Sequence, residues 1–229
     1  MYIYEMHQHS SICSACSKLD VKDLITIMKK RGFAGVVLTN HFYHGNTRVN
    51  RNQPWEDFVG EFEREYLLAK EEGEKQGIQV FFGIEQGLGD GKEVLIYGVE
   101  PKVIADHPEI RDLCFEPLLK CLYEVVNEAG GLVIQAHPYR VRDYIKEPHK
   151  DLNKDYLDGY EIYNACNTPE DNQNIEKLKE EKDKIFTAGS DSHWDNEIRF
   201  GIKTEEPIKD NKDLVRVLKE GKFQFYIEE

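Results

Sequence analysis

Five short stretches of this sequence place imidazole or carboxylate groups directly behind apolar runs. They are His7-Gln8-His9, Thr39-Asn40-His41, Gly83-Ile84-Glu85, Ala136-His137-Pro138 and Gly189-Ser190-Asp191-Ser192-His193. Nitrogen and oxygen donors in this mixture suit borderline divalent cations such as zinc, iron or manganese. One histidine at a strand end is ordinarily a surface or hydrogen-bonded residue. An H-x-H pair is better placed, because residues two apart on a strand point to one face, ~7 Å from each other. So much imidazole and carboxylate brought to one rim would bind a divalent cation. No Ser or Cys nucleophile with a partnered base is evident. Ser10 and Ser190 flank the candidate ligands as hydrogen-bond donors.

These groups can converge only if the elements carrying them share a rim. Apolar runs of strand length fall at 2–6, 36–38, 80–84, 94–97, 132–134, 160–163 and 185–188. Amphipathic segments of helix length lie between several of them. The first, at 19–31, has Asp20 as its cap and Gly32 as its stop. The second is opened by Pro54 and ends near Gly73 or Gly77. The others are predicted at 115–129, at 168–184 and from near Asp210. Runs without polar alternation are buried on both faces, as in parallel sheets covered by helices. Closed, that pattern is a β/α barrel with its chemistry at the carboxyl ends of the strands. Open, it is a doubly wound sheet. With no internal repeat and no linker, residues 1–229 are expected to form a single domain.

Thirty Lys and Arg against forty-three Asp and Glu leave a formal charge of −13. A duplex nucleic-acid binder needs a basic footprint instead. No apolar run reaches the ~18 residues of a membrane span. The first five residues do not read as a signal peptide, and five cysteines make no disulfide framework. A cytoplasmic, reducing setting is expected.

The ordered series H-x-H-S, T-N-H, G-I-E, A-H-P and G-S-D-S-H, spanning His7 to His193, resembles the PHP (polymerase and histidinol phosphatase) family. The resemblance implies a distorted seven-stranded (β/α)7 barrel with two or three divalent metals (Zn, Mn or Fe) at the strand ends. It implies His7, His9, Glu85 and Asp191 as ligands of a first metal. Glu85 would bridge to a second metal that also takes His137, and His41 and His193 would serve a third. Two departures stand out. Where a histidine is usual after the fourth strand, this chain has Val99. Where a His or Asp usually follows H-x-H, it has Cys13-Ser14-Ala15-Cys16. Cys16, ahead of Cys13, is the thiol that could replace that ligand, and a redox pair of the two cysteines or tight packing of the loop are the other readings. His44 and His107 are ordinary surface histidines or substitutes for the missing ones.

A metal-bound hydroxide attacking phosphorus, supported by His41 and His193, would need no protein nucleophile. Phosphate recognition favours guanidinium, which directs attention to Arg140, just beyond His137, and Arg199, after His193. Arg48 and Arg51 are placed on a lid. The expected activity is that of a metal-dependent phosphoesterase acting on a small anionic phosphate monoester, in the manner of histidinol phosphatase. The alternatives are a phosphodiesterase or exonuclease acting on short nucleic acid, a non-catalytic metal-binding domain, and hydrolysis of a carbon–nitrogen bond.

Overall fold

A computed structural model describes residues 1–172, 175–195 and 197–228. Nine strands form one sheet among these residues: β1 (Tyr2–Gln8), β2 (Gly35–Leu38), β3 (Gln79–Gly87), β4 (Glu93–Tyr97), β5 (Leu132–Gln135), β6 (Gly159–Asn164), β7 (Ile185–Gly189), β8 (Phe200–Thr204) and β9 (Gln224–Ile227). The helices are α1 (Val21–Lys30), α2 (Trp55–Gln76), α3 (Pro101–Ala105), α4 (Phe115–Glu128), α5 (Pro169–Asn172) and α6 (Asn211–Lys219). The sheet order is β7-β6-β5-β4-β3-β2-β1-β8-β9.

The sheet curls until β7 meets β1. Gln8 and Ser192 form a parallel bridge, and Asp191 N–H donates to the His7 carbonyl at 2.8 Å. The result is a nearly closed barrel. Gly189 is needed at this seam, because a Cβ there would stand 2.4 Å from His7 Cβ.

The fold departs from the seven-stranded (β/α)7 expectation in strand number and in direction. Strand β8 extends the sheet antiparallel to β1, and β9 follows antiparallel to β8. Strand β4 runs antiparallel to both β3 and β5. The segment between β3 and β4 is too short for the crossover that parallel neighbours require. It turns tightly instead, with Gly89 and Gly91 at φ +96° and +90° and Leu88 N–H bonded to the Lys92 carbonyl at 2.8 Å.

The caps read from sequence are present. Asp20 accepts from Asp23 N–H at 2.9 Å at the start of α1, and Asp210 accepts from Asp213 N–H at 2.8 Å at the start of α6. Gly77 ends α2 in the left-handed region. The long polar helix expected at 168–184 does not form. In its place stand the short α5 and a 3-10 turn at Ile175–Glu180, with residues 173–174 outside the described set. Two buried apolar residues, Ile175 and Leu178, anchor that segment, which is little to hold a four-turn helix.

Two apolar layers position the site. Leu24, Phe58, Phe62, Leu118 and Leu122 pack helices α1, α2 and α4 against the outside of the sheet. Tyr4, Val37, Phe81, Leu95, Tyr97 and Ile134 pack together with Leu214 and Leu218 of α6 as a second cluster. The strand pleat then alternates Phe81 with Glu85, four residues on, and Leu95 with Glu93, so each strand carries an apolar residue and an acid on one face. The register of β1 shifts between Glu5 and Gln8. Such an irregularity re-aims side chains, and beyond it His7 and His9 face Glu85.

Candidate metal centre

His7, His9, Glu85 and Asp191 are buried and bring ligand atoms within 4.8 Å of one another. His7 Nε2 lies 3.1 Å from Glu85 Oε1, and His9 Nε2 lies 3.1 Å from Asp191 Oδ1. The outward nitrogens are already occupied. His7 Nδ1 faces Glu161 Oε1 at 2.9 Å, His9 Nδ1 faces Ser14 Oγ at 3.1 Å, and His193 Nδ1 faces the Asp191 carbonyl at 2.8 Å. Such partners fix the tautomer and leave Nε2 as the free donor atom.

A second group joins His41, Glu85 and Glu93. Glu93 Oε2 also reaches His137 Nε2 at 3.4 Å, and Glu85 Oε1 reaches the same nitrogen at 3.1 Å. Glu93 was not singled out from sequence, where a histidine was looked for at the carboxyl end of the fourth strand. Because β4 runs backwards, its amino end meets the rim. Val99 lies beyond the other end of that strand and packs in the outer layer of the core. A signal for Glu93 existed: an acid opening a buried run, reached from β3 by too few residues for a crossover. Glu161 was missed as well. It is a lone carboxylate inside the apolar stretch 160–163, fully buried, and it takes His7 Nδ1, His137 N–H and Asn164 Nδ2.

A third group joins His9, His41 and His193, with the rings of His41 and His193 stacked 4.3 and 4.4 Å from His9. Cys16 faces both outer imidazoles. Burial works against its thiolate, but hydrogen bonds to His193 and His41 bring its pKa down to about 6. Cys13 turns away: its Sγ points to the Glu61 carbonyl at 3.7 Å, and burial pushes its thiol up. Cys166 Sγ rests on the Asp191 carbonyl at 3.3 Å. Cys114 is exposed as the N-cap residue of α4.

The electrostatics suit a cation. Burial opposes the charged form of His7, yet Glu161, Asp191 and Glu85 hold its pKa well above the ordinary value. Burial, reinforced by His41 and His193, lowers His9 to about 3, so its imidazole is neutral and free to ligate. Burial likewise opposes ionisation of Glu85 and Asp191. The neighbouring His7 keeps both well below the usual carboxylate range, with His41 aiding Glu85 and Arg140 aiding Asp191. Glu85 Oε2 and His41 Nδ1 are buried and 2.7 Å apart, yet neither has a partner in hydrogen-bond geometry among the described residues. Donor atoms that converge without bonding one another are what a coordination sphere requires, so the residues fit a divalent cluster. His137 and Asp191 take left-handed backbone conformations (φ 30° and 53°), a strain concentrated at functional positions.

The groups border a cavity of about 530 Å³ lined by Cys16, His41, Glu93, Arg140, Asp191 and His193, among others. Arg140 is buried, pairs with Asp191 Oδ2 at 2.7 Å and donates to Asn164 and Asn167. Tyr144 lines the mouth on a loop strapped to the β3–β4 turn, where Lys92 Nζ meets the Glu147 carbonyl and Lys146 N–H meets the Asp90 carbonyl at 3.0 Å.

Arg199 does not line the cavity. It is exposed, donates to the Ala165 carbonyl at 2.8 Å and lies over the Phe200 ring. Arg48 and Arg51 serve as staples, bonding the carbonyls of Ser14, Ala15, Tyr43 and Gly45. His44 is at the cavity wall, while His107 pairs with Glu109 at the surface. Ser10 donates to Glu65 at 2.6 Å, and Ser190 accepts from Arg199 and Phe200 N–H, so both shape backbone and contact no ligand side chain. Asn40 has a physical reason to be an amide. It accepts from Ser10 N–H and Ser14 Oγ while donating to the buried Glu65 at 2.9 Å, which an aspartate could not do.

Residues 169–223 match the family model described as PHP-associated (PHP_C). No curated protein matches the sequence. Among solved structures, the fold is similar to a two-domain protein of Bacteroides vulgatus containing a predicted PHP-like metal-dependent phosphoesterase. The TM-score is 0.68 at 15% identity, over 99% of this chain and 65% of that one. It is similar to the lesion-specific endonuclease EndoQ of Pyrococcus furiosus, with TM-score 0.64 and 15% identity over 98% of this chain and 57% of that one. A protein of Bifidobacterium adolescentis inferred to be a metal-dependent phosphoesterase aligns with TM-score 0.56 and 15% identity, over 94% and 95% of the two chains. These are likenesses of fold.

Proposed function

We propose that residues 1–229 act as one metal-dependent phosphoesterase domain that hydrolyses a small phosphate monoester, a reading supported by the match of residues 169–223 to the PHP-associated model and by the likeness of fold to a protein with a predicted PHP-like phosphoesterase. The observation that carries this reading is the convergence of His7, His9, His41, Glu85, Glu93, His137, Asp191 and His193 around unpartnered buried donor atoms beside an open cavity. His7, His9, Glu85 and Asp191 would hold one cation. Glu85, Glu93 and His137 would hold a second, and His41 and His193 would contribute to a third.

When bound, two or three divalent ions supply Lewis acidity, lowering the pKa of water and neutralising phosphate oxygens. The protein's own groups do the rest. Arg140 presents a guanidinium at the cavity wall, held in place by Asp191 and two asparagines, and would orient the phosphate. With two ions bound and the third position unfilled, His41 and His193, which face the same space, would assist proton movement at the attacking water. Cations in this number outweigh the three carboxylates Glu85, Glu93 and Asp191, so the pocket attracts a small anion although the whole chain is acidic. No described helix is long and apolar enough to cross a membrane. The unpaired cysteines fit a cytoplasmic setting.

The test is phosphate release from para-nitrophenyl phosphate and a metabolite panel by metal-reconstituted protein, alongside His7→Ala and Asp191→Asn. Activity undiminished in both variants would sink the proposed site. A second reading, cleavage of a phosphodiester in nucleic acid, is favoured by the fold likeness to an endonuclease. It predicts turnover of short oligonucleotides that falls steeply with salt. Full metal loading without turnover of any phosphoester would favour a non-catalytic domain.

A further inference from the structure

We propose that Glu65, a fully buried carboxylate on helix α2, is a positioning residue for the metal centre. Through Asn40 and Ser14 it holds His9 in the tautomer that carries its hydrogen on Nδ1, and so keeps His9 Nε2 open to a cation. The inference rests on the metal reading above and deepens it by naming what prepares one candidate ligand from outside the site.

The hydrogen bonds admit a single direction. Glu65 takes Ser10 Oγ at 2.6 Å, Ile12 N–H at 3.1 Å, Cys13 N–H at 3.0 Å and Asn40 Nδ2 at 2.9 Å. The carboxylate is therefore an acceptor in every one of these contacts. On the other side of the Asn40 amide, Ser10 N–H donates to Oδ1 at 2.7 Å. A flipped amide would set its nitrogen against that N–H and its oxygen against the carboxylate, so both ends reject it. Oδ1 can only accept, and the Ser14 hydroxyl spends its single hydrogen there, at 2.8 Å. Ser14 Oγ is left with lone pairs, which take His41 N–H at 3.0 Å and His9 Nδ1 at 3.1 Å. The hydrogen in that last contact must come from the imidazole.

The other edge of the ring shows why such a chain is needed. His9 Nε2 lies 3.1 Å from Asp191 Oδ1 and 3.4 Å from Glu85 Oε2. Those two carboxylates draw the ring hydrogen towards Nε2, where it would block coordination. His9 belongs to two of the candidate groups, one with His7, Glu85 and Asp191 and one with His41 and His193. A misplaced hydrogen would close both. The docking of α2 against the loop after β1 is thus tied to the readiness of the centre, although Glu65 itself touches no candidate ligand side chain.

The experiment locates the hydrogen directly. The full chain, freed of metal and isotope-labelled in its histidine rings, should show His9 Nδ1 protonated in long-range proton–nitrogen correlation spectra assigned with His9→Gln. Glu65→Gln places an amide among the donors that the carboxylate now accepts, and should transfer the hydrogen to Nε2 in a substantial share of molecules. Asn40→Ala cuts the chain and should do the same, and it decides the matter if Glu65→Gln does not fold. Metal affinity, read by competition with a chelator, should fall about 10-fold for Glu65→Gln and for Ser14→Ala. Combining the two should add no further loss, because both act along one path. A glutamate that only braced the loop would lower the melting temperature while leaving the hydrogen on Nδ1. That result, an unprotonated Nδ1 in the unaltered chain, or fully additive losses in the double variant would overturn the inference. The hydrogen is located without metal, so these outcomes stay separate from the metal reading, which falls only if the unaltered chain takes up no cation.

Discussion

The two flanks of the candidate metal centre are built on opposite principles. At the β1–β7 seam, His7, His9 and Asp191 sit at the carboxyl ends of strands that meet in parallel, and each has a protein partner holding it in place: Glu161, Ser14 and Arg140 respectively. At the β3–β4 hairpin, Glu85 and Glu93 approach from antiparallel strands and share the imidazoles of His41 and His137, while Glu85 also reaches across to His7 and His9. For Glu93, burial and the Glu85 charge both oppose ionisation, and hydrogen bonds from His137 and His41 outweigh them. The seam is organised by hydrogen bonds the chain supplies. The hairpin gathers like charges that a cation would hold together. Pre-organisation of a site can therefore differ between two sides a few ångströms apart.

The largest effect that would test this contrast is Glu85→Gln, because Glu85 contacts both flanks. The expected loss is several kcal/mol of transition-state stabilisation, ~10³-fold or more in kcat/KM, with metal content falling on both sides. Retention of a full metal complement would break the comparison. Glu93→Gln should act on the hairpin alone. We expect one cation lost and activity down ~10²-fold, with the ions at the seam retained. Simultaneous loss of metal at both flanks would show that the two are not separable. Glu161→Gln alters the acceptor shared by His7 Nδ1, His137 N–H and Asn164 Nδ2, and its expected cost is 10- to 100-fold in metal affinity, read by competition with a chelator. No change there would mean that the seam does not depend on its outer hydrogen bonds.

The smallest expected effect concerns Glu5, which lies under the seam and accepts from His7 N–H at 2.9 Å and Ser190 N–H at 2.8 Å. Burial raises its pKa from 4.5 to about 7, against the lowering effect of those bonds. A carboxyl raised on folding contributes stability that is full below the unfolded value and is lost as pH rises through the folded one. Denaturant melts of Glu5→Gln should therefore flatten the pH dependence of stability between 4.5 and about 7 and leave the variant relatively more stable above it. An unchanged slope would show that Glu5 does not titrate in that window.

The same contrast explains what could be read from sequence. The seam is legible because its candidate ligands obey one rule: in a parallel sheet, chemistry follows the strand. His7, His9, His41, Glu85, His137, Asp191 and His193 all conform. Glu93 does not, because strand direction reverses at a turn too short for a helix, and an apolar run alone carries no direction. Strand β8 escaped notice because Lys203 and Thr204 interrupt its apolar pattern, and Arg199 was misplaced because proximity in sequence to His193 said nothing of which way the loop turns. Glu161 and Glu65 were detectable in principle as lone acids on buried faces, since a buried carboxylate must have partners. Which partners, only the fold could say.

The closure of β7 onto β1 also sets a schedule. His9 and Asp191, 3.1 Å apart in the site, are separated by 182 residues of chain. A growing polypeptide that has already released its H-x-H segment must be extended through the seventh strand before the first coordination sphere can exist. Contacts this distant in sequence are costly to close and slow to form. In the proposed centre, tight cation capture would therefore come late in folding, and a bound ion would mark that β1 and β7 have met.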